Sequence, residues 1–442
     1  MSRTLARTLG LRDLLFLTVG SVIGSGIFLV PATVLAQTGG TLRASAFVWL
    51  AGGILSLLGA LTYAELAAQR PDAGGMYVFI RDAFGPMPAF LFGWTMFFVV
   101  GSGAVATLTV AFAGYLREFV PVSAVAAKLV AVAVIAVLTW LNVRGTRRSA
   151  DVQTWTTAIK AGAILVLGLL LLAKGTYGAG SPPPLAQPRP SPLVGLGLAM
   201  IGVLWSYEGW QYTTFTAGEA RDPQRTIPRG LIAGTAVLVG LYLLANAAYV
   251  AALGAARAAR SERVAAEAVG AVLGPAAGKL VAAVILVAMF SAANALILTT
   301  PRVYFSMARD GVFFRRLAEV HPRFGTPALA IVAGSLWAMV LAATGTFEQL
   351  LTYVVFTGWI FYALAGASIF VFRRREPEAP RSFRVPGYPV TPALFVASAA
   401  LIVANTVGAQ PARAAVGLGV VLLGIPAYLM WRARPAPVAD AA

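Results

Sequence analysis

Cysteine is absent from this 442-residue sequence, histidine occurs once, and charged residues make up only 12% of the chain. The absence of cysteine excludes disulfide bonds, thiolate metal ligands and thiol nucleophiles. One histidine, His321, cannot supply the ligand set of a zinc or haem centre on its own. We therefore expect no metal site and no cofactor. Clusters of histidine, cysteine or paired carboxylates are also missing, so the sequence does not indicate an enzyme.

The scarcity of charge is matched by a high apolar content, with 59% hydrophobic residues. A soluble domain carries about 25% charged residues, roughly twice the fraction found in this chain. Apolar runs of the length that crosses a bilayer as an α-helix recur along the whole sequence. These proportions are typical of a protein that lies in a membrane.

The apolar runs predict an all-α membrane protein with twelve transmembrane helices. The predicted spans are 11–35, 44–67, 90–115, 122–141, 155–172, 193–217, 231–253, 280–305, 328–343, 350–372, 392–407 and 414–431.

The formal net charge of +17 is explained by membrane topology, not by nucleic acid, which we do not expect as a partner. Basic runs occur at Val143–Ser149, Phe313–Arg316 and Phe372–Arg384, all of which are cytoplasmic if the N-terminus is cytoplasmic. The positive-inside rule then predicts a multi-pass protein of the cell's inner (plasma) membrane with both termini in the cytoplasm.

A proline-rich stretch, Ser181–Pro192, divides the chain into two halves of five spans and a final pair. The predicted units are residues 11–173, residues 192–372 and residues 389–432. The first span of each half is interrupted by glycine, which is typical of transporters built from inverted repeats around a midplane binding site. Because each half contains an odd number of spans, the two repeats have opposite orientations in the membrane.

The interruption in the first span is the sequence GSVIGSGIF, which contains Gly24, Ser25 and Gly26. Unwinding there frees backbone N–H groups at the start of the second half-helix, where the dipole favours a carboxylate. Carbonyl groups near Ile23, at the end of the first half-helix, suit an ammonium group. The alternative is that Gly20 and Gly24 form a close helix–helix contact and bind nothing.

The sixth span contains WSYEGW, in which Glu208 adjoins Gly209 in the middle of an apolar run. A carboxylate at the centre of a membrane helix costs about 2.5–3.5 kcal/mol, so Glu208 is a candidate functional residue. It could exchange a proton, contact a cationic substrate side chain, or simply pair with a neighbouring group. Trp205 and Tyr207 offer flat apolar surfaces for a side-chain pocket or a gate.

Lys160 is the basic residue that we place well inside a span. It is too far from either end of the fifth span to reach water easily, so we expect a fixed ammonium held by carbonyl groups or a carboxylate. If the predicted span is shifted, Lys160 instead lies near the interface.

Five segments together resemble the amino acid–polyamine–organocation transporter superfamily, most closely the L-type amino acid transporter branch and its bacterial relatives. They are GSVIGSGIFLVP at 20–31, YAELAAQRPDAGGMYVFIRDAFGP at 63–86, WSYEGWQYTTFTAGEARDPQRTIPRG at 205–230, YFSMARDGVFF at 304–314 and FRVPGYP at 383–389. The resemblance implies a LeuT-like fold, in which a 5+5 inverted repeat with broken helices 1 and 6 is followed by two further helices.

The resemblance also implies roles for individual residues. Gly24, Ser25 and Gly26 match the segment that holds the substrate carboxylate, and the backbone of Ile23 with that of Trp205 and Ser206 matches the part that receives the amino group. The side chain of Trp205 matches the aromatic gate. The side-chain pocket matches Tyr207, Glu208 and Gly209.

In the same branch a lysine matching Lys160 places its ammonium where sodium-coupled relatives bind sodium, and Ser291 is a candidate partner for it. The resemblance therefore implies Na+-independent transport of amino acids by alternating access, and we expect exchange of one L-amino acid for another. Alternatives are proton-coupled symport through Glu208, transport of cationic amino acids or polyamines and, more remotely, a channel or facilitator. Eukaryotic members join a partner glycoprotein through a cysteine, so no disulfide-linked accessory subunit is expected for this chain, whose composition resembles that of bacterial proteins.

Overall fold

The structure is a computed structural model that describes residues 5–175, 192–345, 347–409 and 411–432. Within these ranges the chain is helical, with one isolated backbone bridge between Leu9 and Ala220. Residues 181–191 of the predicted proline-rich connector lie outside the described residues.

The α-helices of the described ranges follow one another along the chain with short connections. They are α1 (Leu11–Val22), α2 (Gly26–Gln37), α3 (Leu42–Gln69), α4 (Met76–Phe84), α5 (Pro86–Thr95), α6 (Gly101–Leu116), α7 (Ala124–Val143), α8 (Thr146–Lys174), α9 (Pro192–Ser206), α10 (Pro223–Leu253), α11 (Ala255–Ala258), α12 (Val264–Leu273), α13 (Gly278–Thr299), α14 (Pro301–Arg309), α15 (Ala328–Thr344), α16 (Phe347–Arg375), α17 (Val390–Ala409) and α18 (Pro411–Arg432). A π-helical turn, Met96–Val100, joins α5 to α6, and 3₁₀ helices occupy Trp210–Glu219, Pro275–Ala277 and Arg315–Ala318.

Seven continuous stretches of the described residues are long and apolar enough to cross a membrane. They are Leu42–Gln69, Pro86–Leu116, Ala124–Val143, Thr146–Lys174, Pro223–Leu253, Pro275–Arg309 and Ala414–Trp431. Helices α1 and α2 meet the same criterion as a pair bent by 48°, which makes eight spans.

The eight spans coincide with the predicted first to fifth, seventh, eighth and twelfth spans, so the all-helical multi-span class and the broken first helix are confirmed. The predicted sixth span is interrupted: α9 ends at Ser206 and a 3₁₀ helix follows from Trp210. The remaining three predicted spans correspond to α15, α16 and α17. The complete twelve-helix LeuT-like arrangement stays a prediction.

Apolar side chains also cover the outside of the bundle, most clearly on α7. Its Val125 and Leu129 are 71% and 65% exposed, and Trp155 on the neighbouring α8 is 66% exposed. Exposed apolar surface of this extent is unfavourable in water but is the expected lipid-facing surface of a membrane helix. Because lipid cannot hydrogen-bond to a backbone, each such segment must also satisfy its own N–H and C=O groups, which an α-helix does.

One end of the bundle is held by ion pairs between helix termini. Arg302 of α14 and Glu219 are both fully buried, with Nε and Oε2 2.6 Å apart. The hydroxyl of Thr146, at the start of α8, donates to the same carboxylate at 2.6 Å. The carboxylate of Asp13 on α1 accepts two hydrogen bonds from Arg147, at 2.7 and 2.8 Å. Removing one partner of a buried pair typically costs about 3–5 kcal/mol, so this end is firmly closed.

The N-terminal segment before α1 adds backbone bonds to this closed end. The N–H groups of Thr8 and Leu9 donate to the carbonyl of Glu219 at 2.9 and 3.0 Å, and the N–H of Arg221 donates to the carbonyl of Leu9 at 2.8 Å. These bonds tie the chain ahead of the first broken helix to the segment after the second break.

Gly20 allows α1 to approach α8 closely. A Cβ atom at this position would lie 2.1 Å from Nε2 of Gln153 and 2.2 Å from Oγ1 of Thr157. The amide of Gln153 is itself held by Ser291 at 3.2 Å, so it cannot move aside without losing that bond. The interpretation of Gly20 as a packing glycine is therefore consistent with the structure, while Gly24, which has more space, lies in the break.

We predict that Gly20→Ala destabilises the folded protein by about 1–3 kcal/mol, the usual effect of an overpacked interface. Thermal unfolding of the purified protein in detergent measures this change. Gly162→Ala on α8 is the matched control, because no heavy atom lies within 4 Å of the added carbon. Equal unfolding temperatures for the two variants would contradict the predicted contact.

Candidate functional site

The first helix is broken between α1 and α2. Helix α1 ends at Val22, Ile23 takes an extended conformation with ψ of 92°, and α2 begins at Gly26. Two glycines flank Ser25 at this break, and glycine costs about 1 kcal/mol in a helix relative to alanine, which makes unwinding easy. The N–H of Phe28 donates to the carbonyl of Ser25 at 3.1 Å, whereas the N–H groups of Gly26 and Ile27 at the start of α2 have no partner within their own helix.

The second break lies directly opposite. Helix α9 ends at Ser206, and the chain turns through Tyr207, Glu208 and Gly209 before the 3₁₀ helix. Gly209 has a φ of 128°, a conformation that favours glycine. Its carbonyl accepts a hydrogen bond from the hydroxyl of Ser21 at 2.9 Å. The two breaks are therefore joined directly, one on each side of a shared space.

That space is a cavity of about 90 Å³ between the two breaks. It is lined by backbone and side-chain atoms of both breaks and by residues of α6, α13 and the 3₁₀ helix. The lining residues are Ser21, Val22, Gly24, Ser25, Gly26, Ala104, Thr107, Leu108, Trp205, Ser206, Glu208, Tyr212, Ala292 and Leu296.

Most of the residues proposed from the sequence as a substrate site meet at this cavity. Gly24, Ser25, Gly26, Trp205, Ser206 and Glu208 are among its lining residues. Ile23, Tyr207 and Gly209 are buried nearby but do not line it. The ring of Tyr207 instead packs against Trp49 and Tyr242, with centroid distances of 5.8 and 5.0 Å.

Lys160 lies behind the first break and is fully buried. Its Nζ donates to the carbonyls of Gly20 at 2.7 Å and Ile23 at 2.6 Å, and to that of Ala288 on α13 at 3.4 Å. Of the two partners expected for this ammonium, carbonyl groups or a carboxylate, the structure has the carbonyls. The ammonium therefore caps the end of α1 and links it to α8 and α13.

Ser291, the other residue proposed for this region, is not hydrogen-bonded to Lys160. Its hydroxyl accepts from Nε2 of Gln153 at 3.2 Å and lies 3.4 Å from that of Thr157. Gln153 in turn accepts from Asn294 at 2.9 Å, so Ser291 belongs to a buried polar cluster between α8 and α13. Gln153 and Thr157 lie on α8, the helix that also carries Lys160, so this cluster fixes the position of α8 against α13.

Glu208 has two carboxylate oxygens in different surroundings. Oε1 accepts a hydrogen bond of 2.6 Å from the phenol of Tyr362 on α16. Oε2 is buried and has no hydrogen-bond partner among the described residues. A buried polar atom without a partner is unfavourable, and Glu208 is among the residues that line the cavity, so its carboxyl group is a candidate acceptor for a ligand.

Sequence reasoning missed several residues of the site. Thr107 and Leu108 come from α6, and Tyr212 comes from the 3₁₀ helix after the second break. Tyr362 reaches Glu208 from α16, 154 positions further along the chain. Such residues are ordinary in an apolar span, so the sequence does not single these positions out. The one sequence signal for the site is the position of Tyr212, four residues after Glu208.

The chain is helical, has several candidate membrane spans and contains a cavity between two helix breaks. These features are typical of membrane transport proteins. The comparison with family models then identifies the family. Residues 9–425 match the model described as amino acid permease, which covers nearly the whole chain. The chain belongs to this family, and it is accordingly a multi-pass amino acid transporter and not an enzyme.

Individual relatives are similar over most of their length. The serine/threonine exchanger SteT of Bacillus subtilis is 29% identical over 435 residues, which is 98% of this chain and 98% of the relative. The human cystine/glutamate transporter is 31% identical over 429 residues, 94% of this chain and 84% of the relative. The human large neutral amino acids transporter small subunit 2 is 28% identical over 449 residues, 99% of this chain and 83% of the relative. The superfamily resemblance of the sequence motifs is thereby confirmed.

We predict that Tyr362→Phe destabilises the protein by about 1–3 kcal/mol, because it leaves Oε1 of Glu208 without its hydrogen-bond donor. Adding Glu208→Gln to this variant restores part of the loss, since a neutral amide is less costly to bury. Thermal unfolding in detergent gives both values as a double-mutant cycle. Tyr207→Phe is the control, because the buried hydroxyl of Tyr207 has no partner among the described residues. If Tyr362→Phe and Tyr207→Phe unfold alike, the bond to Glu208 contributes nothing.

Proposed function

We propose that the protein is a Na+-independent exchanger of L-amino acids that works by alternating access. In this proposal residues 11–173 and 192–372 form two inverted repeats of a LeuT-like fold, and residues 389–432 add two helices. The substrate is held between the two helix breaks. The protein lies in the plasma membrane with both termini in the cytoplasm, and it works without a disulfide-linked subunit.

The observation that carries the proposal is the position of Lys160. Its ammonium contacts carbonyl groups of α1 and α13, the two elements between which sodium-coupled relatives of this superfamily are expected to bind sodium. A covalently attached cation at this place removes the need for a soluble one. Because no ion then has to enter or leave with the substrate, the sodium gradient cannot drive transport.

Exchange follows if the empty carrier reorients slowly. The closed end of the bundle is held by the buried Arg302–Glu219 pair and by the bonds of Arg147 to Asp13, which must rearrange before that end can open. Binding of a substrate across both helix breaks supplies the interaction energy for that rearrangement. The name of the Bacillus subtilis relative describes an exchanger of serine and threonine, which supports the same mechanism for this chain.

The substrate's charged head fits the two breaks. Its carboxylate is placed on the free N–H groups at Gly24, Ser25 and Gly26, where the α2 dipole favours negative charge. Its ammonium is placed near the carbonyls of Ile23 and Ser206. These accept from Lys160 at 2.6 Å and from Tyr242 at 3.1 Å, but a carbonyl oxygen has two lone pairs and can accept once more. Trp205 then covers the bound molecule.

The test is transport in proteoliposomes loaded with one unlabelled amino acid at a time. We expect uptake of labelled L-serine to be several-fold faster with an internal amino acid than without one, and to be the same in sodium and in choline buffers. Empty liposomes and a pH gradient serve as controls. Uptake that ignores the internal amino acid but follows the pH gradient would overturn exchange in favour of proton-coupled symport.

Glu208 supports a second feature of the proposal, namely the substrate's side chain. Glu208 lines the cavity and has one oxygen without a partner among the described residues, which favours amino acids whose side chain donates a hydrogen bond, through a hydroxyl or a cationic group. The same oxygen could instead take up a proton, which is the basis of the symport alternative. Polyamine transport would require further buried carboxylates at the cavity, and Glu208 is the acidic residue among those that line it.

We predict that Glu208→Gln weakens the apparent affinity for a cationic amino acid such as L-lysine more than that for L-alanine. The expected difference is about tenfold to a hundredfold, the range of a hydrogen bond to a charged group. Competition of each amino acid against labelled uptake measures it, at several pH values. Glu262→Gln, at an exposed position away from the cavity, is the control. Unchanged rates for every substrate and pH in Glu208→Gln would assign Glu208 a structural role only.

A further inference from the structure

The turn between α7 and α8 carries three arginines whose surroundings differ. Arg147 is bound to two carboxylates, those of Asp13 at 2.7 Å and of Asp151 on the next turn of α8. Arg144 and Arg148, on either side of it, are exposed and form no ion pair with any described residue. Because both carboxylates are bound to Arg147, the charges of Arg144 and Arg148 are left uncompensated within the protein.

This turn joins the two spans that are least covered by protein. Of the most apolar stretch of each span, 17% of α7 and 28% of α8 is buried, the two lowest shares among the seven continuous spans of the described residues. Trp140, one turn before the end of α7, is 56% exposed, and Trp155 on α8 is 66% exposed. Exposed tryptophans near the end of a membrane helix are typical of the lipid headgroup level. The two free arginines therefore adjoin lipid.

Each free arginine has one of these tryptophans on its membrane side. The guanidinium carbon of Arg144 lies 4.2 Å from the ring centroid of Trp140. Such a cation–π contact uses the face of the guanidinium and leaves its N–H donors, which point outward in its plane, free for a phosphate. Arg148 and Trp155 are seven residues apart on α8, so they share a face, with Trp155 about 10 Å further along the helix. A charged level thus lies above an aromatic level, in the order of a phosphate and its acyl chains.

The backbone of the turn adds hydrogen-bond donors. Gly145 joins the two helices with a φ of 145°, and no heavy atom lies within 4 Å of a Cβ added there, so the turn is open to an approaching group. Helix α8 starts at Thr146 and has 29 residues, and its first N–H groups have no partner within the helix. The N-terminus of a helix favours an anionic oxygen. The turn therefore offers amide donors in addition to two guanidinium groups.

We propose that the turn between α7 and α8 binds the headgroup of an anionic phospholipid, in the leaflet at the closed end of the bundle. Arg144 and Arg148 contact the phosphate, and Trp140 and Trp155 lie along the glycerol and the upper acyl chains. A lipid with a net negative charge is favoured over a zwitterionic one, because the nearby carboxylates are already bound to Arg147 and do not pair with a choline or ethanolamine group. The inference uses the membrane spans and not the exchange mechanism, so it holds or fails independently of the proposed function.

The test places a fluorescent label beside the proposed lipid. Because the chain has no native cysteine, Val137→Cys carries a single bimane label, at a position that is 56% exposed and one turn from Trp140. The labelled protein is reconstituted in phosphatidylcholine vesicles that contain a small fraction of spin-labelled phosphatidylglycerol or of spin-labelled phosphatidylcholine. We expect phosphatidylglycerol to quench the label with about fivefold to twentyfold higher relative affinity, the scale of two arginines near an anionic lipid.

The double variant Arg144→Gln/Arg148→Gln, made in the labelled protein, should lose this preference, so that both probes quench alike. Arg43→Gln/Lys279→Gln is the matched control, because it also removes two exposed positive charges, at the starts of α3 and α13, and it should keep the preference. Equal quenching by both probes without these substitutions overturns the proposal. So does a preference that survives in the first double variant, or one that the control loses to the same extent.

Two further measurements separate a bound lipid from other causes. A label at Leu401→Cys, which is 70% exposed on α17, should show no preference between the probes. An equal preference there would be a general effect of charge and would contradict a site at this turn. Inorganic phosphate added to the vesicles should not reverse the quenching, because it has no acyl chain to lie along the tryptophans. Reversal by phosphate would assign the arginines to a free anion and overturn the lipid site.

Discussion

A backbone that crosses a bilayer cannot leave its polar groups unpaired, and the break in the first helix conflicts with this constraint. Lys160 resolves half of the conflict, because its ammonium lies 2.7 Å and 2.6 Å from the carbonyls that α1 leaves open at Gly20 and Ile23. The other half, the free N–H groups at the start of α2, is left to the cavity. The carbonyl end of the break therefore has a partner in the protein, whereas the amide end has none within its own helix.

At the second break the roles are reversed, because the side chain held there is a hydrogen-bond acceptor and not a donor. Glu208 has one oxygen bonded to Tyr362 and one without a partner among the described residues, so the residue is held in place with part of its hydrogen-bonding capacity unused. The hydroxyl of Ser21 donates to the carbonyl of Gly209, which joins the two breaks directly. Residues of both helix breaks, Glu208 among them, therefore line one common cavity.

The sequence predicted the parts of this arrangement that are rare in apolar spans. Clustered glycines, a central lysine and a central glutamate are costly in a membrane helix, so Gly24, Lys160 and Glu208 could be selected without a structure. Tyr362 could not, because a tyrosine is ordinary in its helix and its role depends on which helices pack together. The sequence predicts that Tyr207 lies in the side-chain pocket. Helix α9 ends one residue earlier, at Ser206, so the side chain of Tyr207 does not have the direction that a continued helix would give it. The twelve spans are predicted from the length of the apolar runs, and length does not reveal a break within a run. The interruption of the sixth span is therefore indicated only by its glycine.

A cavity of about 630 Å³ lies beside the one of about 90 Å³ between the helix breaks, and Ser25 is the residue that lines both. A solute that moves from the larger space to the smaller one must therefore pass the unwound turn of the first helix. The same break that interrupts the backbone ladder of the membrane span thus forms the passage between the two spaces.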